Sequence, residues 1–249
     1  MRLHVHEWGD SRNPRLVCLH GVTAHGERFK QLAEERWASR FHVLAPDLRG
    51  HGRSTWEPPW TFEQHVADLA ETFPEPAFWL GHSLGVRLVL ELAARHPELV
   101  RRAVLLDPAI HVLPHVAETA ADLERADPVY ESVAAYVDSR TDADGMDRAR
   151  AIADMELHVD ELPDGRVRRR SSQAAAVSIY GELASEPPPP PSVPTVLLYA
   201  PAYGLVRDEQ VAQYEHVVEV PGMHMVMWAA FDEVADAVER FLEDPRAEG

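Results

Sequence analysis

The sequence predicts an α/β chain with a mostly parallel central sheet, helices on both of its faces and an inserted helical cap. Three observations predict it. Short apolar runs of strand length alternate with stretches of helical period. A serine bracketed by glycines, Gly81-His82-Ser83-Leu84-Gly85, follows the apolar run 77–80 at a point where a strand should turn sharply into a helix. Between Ile110 and Ser185 the alternation stops, and the chain becomes Ala-rich, acidic and helix-prone.

Residues 3–8 (Leu-His-Val-His-Glu-Trp) alternate as a strand does. The runs 15–19, 42–45, 77–80, 103–106, 195–199 and 216–220 are apolar enough for strands buried on both faces, which favours parallel pairing. Helical patterns are expected near 27–37, 62–72, 86–95 (stopped by Pro97), 208–214 and 226–242. The last is the clearest, with Val226, Ala230, Val234, Val238, Phe241 and Leu242 at helical spacing.

The block between Ile110 and Ser185 carries fourteen Asp and Glu from Glu118 to Asp164 and no convincing strand. Arg166, Arg168, Arg169 and Arg170 then reverse the charge, and Pro187 to Pro191 should form a stiff polyproline connector. The expected organisation is a core of residues 1–109 and 192–249, with 110–191 as a helical cap and its return linker. No repeat of 20 to 50 residues is visible.

At 249 residues, 45% hydrophobic and 26% charged, the chain suits one large globular domain with an insertion. A formal charge of −17 argues against nucleic acid and anionic membranes as partners, because the long-range field repels both. Cys18 stands alone, so no internal disulfide can form, and its run Leu16-Val17-Cys18-Leu19 marks a buried thiol. No segment approaches the ~20 apolar residues of a membrane span. The N-terminal stretch lacks the features of a secretory signal, so a cytoplasmic location is expected.

A serine hydroxyl is a weak nucleophile at neutral pH, so Ser83 needs a base within hydrogen-bond reach and a group to orient that base. His224, in Val220-Pro221-Gly222-Met223-His224, follows the last strand and precedes the C-terminal helix, at the sheet edge where ligands bind. With the elbow and His224, Leu19-His20-Gly21 and Pro46-Asp47-Leu48-Arg49-Gly50-His51-Gly52-Arg53-Ser54 complete four motifs. Together they resemble the α/β-hydrolase family over nearly all of the chain outside the cap.

That resemblance implies an oxyanion hole from the backbone amides of Val22 and Leu84, with His20, Gly21, His51, His82, Arg49 and Arg53 shaping their turns. His51 could also border the pocket. The chain departs from the family's commonest pattern in its acid: the loop 200–206, after the strand that usually precedes an aspartate, has none. Asp107, at the end of run 103–106, is the favoured replacement, from a place where some members supply the acid. Asp208 is the alternative, with helix N-capping as its plain explanation. A dyad lacking any acid is the third possibility.

Elsewhere, His4 and His6 have the spacing of two metal ligands, but no further ligand motif accompanies them, so exposed strand histidines are expected and no metal. Trp56, Trp60 and Phe62 would line a pocket or fill core, as would Met223, Met225, Met227 and Trp228. The resulting expectation is a cofactor-independent serine hydrolase cleaving a carboxylic ester or lactone of small to moderate size. The alternatives are a ligand-binding or signalling protein on a hydrolase shell, and a cofactor-free perhydrolase of the haloperoxidase type. A small-molecule substrate is the only partner implied.

Overall fold

The computed structural model describes residues 2–126, 128–140 and 146–244; the acidic positions Asp127, Asp142 and Asp144 lie outside them. Seven strands form the central sheet: β1 (Val5–Trp8), β2 (Arg15–Leu19), β3 (His42–Pro46), β4 (Ala77–His82), β5 (Val100–Leu106), β9 (Thr195–Tyr199) and β10 (His216–Glu219). Their order is β1-β3-β2-β4-β5-β9-β10, with β1 antiparallel to β3 and every other pairing parallel.

The apolar runs 15–19, 42–45, 77–80, 103–106 and 195–199 form interior strands because both of their faces are covered, whereas 216–220 forms the edge strand β10, with His216 and Glu219 exposed. Leu16, Cys18, Phe78, Leu80, Val104 and Leu106 belong to one core cluster, while Val17, Leu19, Ala77, Trp79, Ala103 and Leu105 belong to the other. This alternation is the period-2 pleat of a strand sandwiched between two apolar layers. One layer is closed by helices α2 (Phe62–Thr72) and α3 (Leu84–Arg95), the other by residues 26–37 and α10 (Phe231–Glu243).

The helices expected at 27–37 and 226–242 are both interrupted. Residues 26–37 are a 3₁₀ turn (Gly26–Phe29), the short α1 (Lys30–Leu32) and a π-helical turn (Ala33–Trp37). Residues five apart on an α-helix point about 140° away from each other. The wider π turn brings Leu32 and Trp37, both buried, back onto one face. The C-terminal pattern is two helices, α9 (Val226–Ala229) and α10, separated at Ala230 (φ −129°, ψ 46°). Its apolar spacing survives the break because Val226, Ala230, Val234 and Val238 all enter the same core cluster.

The stretch between β5 and β9 holds helices α4 (Pro114–Arg125), α5 (Val133–Asp138), α6 (Arg148–Glu156) and α7 (Gln173–Leu183). Contrary to expectation it also contains strands β6 (Val129–Tyr130), β7 (Val159–Glu161) and β8 (Val167–Arg169), antiparallel in the order β6-β8-β7. Strands this short leave no period to read. Two of the four arginines of the basic run lie on β8, which places Arg169 inward and Arg168 in solvent.

Chain direction switches between β2 and β4: after β2 the chain moves outward to β3, then returns to β4 on the other side. A crevice opens at the carboxyl ends of the strands at such a point. The ends of β2, β4, β5 and β10 lead respectively into residues 20–23, Ser83, Asp107 and the loop bearing His224.

Candidate active site

Ser83 occupies the single residue between β4 and α3, at φ 55° and ψ −116°. A non-glycine residue held there stores roughly 1–3 kcal/mol of strain, which the surroundings must offset. Its N–H donates to the Leu106 carbonyl at 3.2 Å, and its own carbonyl accepts from Val86 at 3.1 Å and Ala109 at 3.2 Å. The glycines are required by close approach. A Cβ on Gly81 would lie 2.3 Å from the Gly85 carbonyl carbon, and one on Gly85 would lie 2.1 Å from the Leu19 oxygen. The Ser83 hydroxyl makes no hydrogen bond to another described residue and opens onto a cavity that His224 also lines.

Asp107, fully buried, also has positive φ (40°), and its N–H is tied to the Leu198 carbonyl at 2.7 Å. One carboxylate oxygen accepts from His224 Nδ1 at 2.5 Å, and the other accepts from the Ala200 N–H at 2.9 Å. The acid-free loop 200–206 therefore contributes an amide that orients the carboxylate of the neighbouring strand. With its proton on Nδ1, a neutral His224 ring carries its lone pair on Nε2. Tyr203 stacks on this ring (5.0 Å, 16°). His82 Nε2 donates to the His224 carbonyl at 3.0 Å. Burial holds the His82 pKa well below the ordinary histidine value, and nearby His224 adds to the effect.

The structure brings Asp107 to His224 and leaves Asp208 apart. Asp208 is the exposed first residue of the short α8 (Asp208–Val211), whose N-cap is Arg207, so Asp208 is not the cap the sequence suggested. That helix also stops at Val211, short of Tyr214.

After β2, residues 21–24 form a turn closed by Ala24 N–H to the Gly21 carbonyl at 3.2 Å. Thr23 sits in it at φ 57°, an uncommon conformation for a β-branched residue. Three side chains hold it. Its N–H donates to His51 Nε2 at 3.1 Å, its carbonyl accepts from His158 Nε2 at 2.6 Å, and its hydroxyl accepts from Arg169 at 2.8 Å. His20 braces the same turn, donating from Nδ1 to the Gly21 carbonyl at 2.8 Å and accepting the Leu48 N–H on Nε2 at 3.0 Å. Burial drives all three rings toward neutrality: His51 is lowered to about 4, and His20 and His158 lie well below the ordinary value. The N–H groups of Val22 and Leu84 donate to no other described residue.

The cavity above Ser83 and His224 measures about 560 Å³. Val22, Tyr203 and Leu205 line it from the core; Val116, Leu123, Tyr136, Arg140, Arg169 and Tyr180 line it from the inserted segment. A smaller recess of about 40 Å³ adjoins it, bounded by residues 21–24 with Arg28, His82, Ser83, Arg140, His224 and Met225. Sequence reasoning missed Arg28, Arg140, His158, Arg169 and Tyr203. Arg169 lay in a visible basic run, but nothing in the local pattern marked the other four.

Other expectations resolve plainly. Phe62 is core under the Arg87 guanidinium, Trp56 is 43% exposed, and neither they nor Trp60 reach the cavity. Met227 and Trp228 are core, whereas Met225 borders the recess. Cys18 is fully buried, which pushes its thiol pKa upward. His4 and His6 are half-buried, not exposed, and their rings meet edge to face at 4.8 Å. With Asp47 they form the group of described residues whose ligand atoms could hold a cation, all within 4.8 Å. The Asp47 carboxylate is already engaged by the Gly26 and Arg53 amides (2.8 and 2.9 Å) and by His6 (3.1 Å).

Comparison with known proteins gives a consistent result. The family model described as alpha/beta hydrolase fold matches residues 14–153. Lipase LipV of Mycobacterium tuberculosis is 34% identical over 262 aligned positions, covering 98% of both chains. Among solved structures, E-2-(acetamidomethylene)succinate hydrolase superposes with a TM-score of 0.85 at 23% identity, covering 97% of this chain and 95% of the other. The enol-lactonase of Burkholderia xenovorans LB400 does so with a TM-score of 0.77 at 23% identity, over 97% and 96%. At these identities the structural likeness speaks for the fold alone.

Proposed function

The chain belongs to the α/β-hydrolase family, and from that premise we propose a cofactor-independent serine hydrolase that cleaves a carboxylic ester or lactone of small to moderate size. The observation that carries the reading is the hydrogen bond from His224 to Asp107 beside a strained serine on the same cavity wall. In the proposed reaction Ser83 Oγ attacks the ester carbonyl while His224 Nε2 takes its proton. Asp107 fixes the tautomer and stabilises the imidazolium. The amides of Val22 and Leu84 receive the developing oxyanion, the second reinforced by the positive end of α3. His224 returns the proton to the leaving alcohol, and a water activated by the same ring releases the acyl group.

Residues 110–191 are proposed to act as a cap over this site, on a core of 1–109 and 192–249. Its apolar residues Val116 and Leu123 face the cavity with Leu205 and suit an acyl or alkyl chain. The name of the similar lipase supports an ester bond as the target. We favour turnover over the ligand-binding alternative because Asp107, hydrogen-bonded to His224, supplies a carboxylate where the loop 200–206 has none. Among the described residues no helix is long and apolar enough to cross a membrane, and the proposal places the enzyme in the cytoplasm.

A p-nitrophenyl ester series with wild type and Ser83→Ala tests the reading. Ester turnover abolished in the variant is the expected result. Equal turnover by both proteins, or hydrogen-peroxide-dependent halogenation without ester cleavage, would reject it.

A further inference from the structure

Away from the cavity, the fold brings His4, His6 and Asp47 together, each offering a ligand atom within 4.8 Å of the others. The strand register dictates this. His4 and His6 are two residues apart, so their side chains leave the same side of the chain. The antiparallel pairing sets Val5 against Pro46, which puts His4 across from Asp47. The Asp47 N–H donates to the His4 carbonyl at 2.9 Å and closes the pair.

Two of the three side chains are held in place by their surroundings. The His6 ring stacks on Trp8 (6.2 Å, 16°) and presses on Gly26, where a Cβ would lie 2.7 Å from its Cδ2. Asp47 is buried, and its oxygens accept the Gly26 and Arg53 amides. Those bonds orient the carboxylate without exhausting it, because an ionised carboxylate accepts at about four lone-pair sites and ligating carboxylates are themselves hydrogen-bonded. His6 Nε2 and Asp47 Oδ1 are 3.1 Å apart. Two ligands of a tetrahedral ion bound at about 2.0 Å are separated by roughly 3.3 Å, nearly the same distance.

The other face of the His6 ring completes the pattern. Its Nδ1 looks toward Glu27 Oε1 at 3.9 Å. When a metal replaces the proton between Nε2 and Oδ1, the imidazole N–H moves to Nδ1, where Glu27 can accept it in a carboxylate–histidine–metal arrangement. The half-buried His4 ring makes no hydrogen bond among the described residues, so it is free to turn the remaining distance, about an ångström, toward the ion. Asp47 and Glu27 are the carboxylates beside these rings, against an exposed Arg53; Arg170, farther along, pairs with Asp160 at 2.8 Å.

We propose that His4, His6 and Asp47 bind a borderline transition-metal dication of the Zn²⁺ and Ni²⁺ class as a structural ion. Two imidazoles and one carboxylate select this class over Mg²⁺ and Ca²⁺, which take oxygen ligands. The ion ties β1 to the end of β3 and, through Asp47, to the turn at Gly26. It takes no part in the chemistry at Ser83, so the site stands or falls independently of the serine-hydrolase reading.

The test titrates ZnCl₂ into full-length protein, stripped with EDTA and dialysed, by isothermal calorimetry. Wild type is compared with His4→Gln and with His6→Gln, whose amide can still donate to Asp47. One ion per chain is expected, with affinity falling tenfold or more in each variant, since losing even an outer partner of a metal site costs 10- to 100-fold. At Zn²⁺ about a hundredfold above Kd, Tm should rise by about 5 °C or more in wild type and by much less in the variants. Absence of saturable binding overturns the site. Affinity that either variant leaves unchanged also overturns it, because the ion then sits on other histidines of the fourteen. A wild-type Tm that stays flat despite binding overturns the structural role. If His6→Gln does not fold, His4→Gln, which removes a ring with no hydrogen bond to lose, decides alone.

Discussion

Asp107 and His224, 117 positions apart in sequence, are joined by a 2.5 Å hydrogen bond in which the carboxylate accepts from Nδ1. Because a second donor, the Ala200 amide, fixes the other oxygen, the carboxylate cannot rotate away without losing both contacts. Asp107→Asn should therefore lower kcat by roughly 10⁴-fold, since an amide no longer enforces the productive tautomer. Asp208→Asn should leave kcat within about twofold. Steady-state kinetics on a p-nitrophenyl ester reads both, and the reverse ranking would move the acid to α8.

The elbow makes a prediction about stability. Gly85→Ala drives a methyl group into the Leu19 backbone, 2.1 Å from its oxygen, where no side chain can yield. A loss of about 1–3 kcal/mol or more is expected, with activity falling as Ser83 is displaced. Gly181→Ala, in α7 with nothing within 4 Å of the new atom, should instead gain about 0.4–1 kcal/mol. Urea denaturation of the two variants distinguishes strain from the general effect of replacing glycine.

The five interior strands were readable in advance because burial on both faces writes itself as continuous apolar runs; of the two edge strands, β1 was legible from its alternation and β10, partly exposed, from its short apolar run. Ser83 and His224 were readable because the turn around each demands particular neighbours. Asp107 and Asp208 were harder to separate: the choice depends on which loop the histidine ring faces, and adjacent strand ends give nearly the same local pattern. Arg28 and His158 left no trace, since their partners, Asp154 and Thr23, are 126 and 135 positions away and come from a different part of the fold. The strands of the inserted segment escaped for the same reason that their period could not be counted.

Thr23 gives a prediction about how the inserted segment serves the site. Its strained turn carries the Val22 amide, and the clamp on its carbonyl is His158, from beyond the end of α6. His158 is a positioning residue on this view, acting only through the turn. His158→Leu should lower kcat by about 10- to 100-fold with KM nearly unchanged, less than the 10²–10³ lost when an oxyanion donor itself is removed. His158→Gln, whose amide can donate to the same carbonyl, should recover much of the loss. A rise in KM with kcat preserved would instead assign His158 to substrate binding.

The buried histidines set the response to acid. His51 and His65 have pKa values lowered to about 4 and about 3, with burial the first cause in each, whereas the unfolded chain protonates them near 6.5. Below pH 6.5 the unfolded state therefore binds protons that the folded state refuses, so stability falls as the pH drops from 6.5 toward 4. Each such ring costs about 1.4 kcal/mol per pH unit once the pH is well below 6.5. Asp47 acts in a lower window: its pKa is depressed despite burial, chiefly by its bond to His6, so its contribution is lost only as the pH falls through and below 3.8. Between pH 6.5 and 5 the histidines dominate. His65 isolates the effect, because it is buried and neither ring nitrogen has a hydrogen-bond partner among the described residues. His65→Leu should raise Tm more at pH 5.5 than at pH 7.5, and calorimetry in buffers of differing ionisation enthalpy should show about one fewer proton taken up on unfolding at pH 5.5. A Tm that is flat from pH 7 to 5 in the wild type would mean that these rings are already charged in the folded protein.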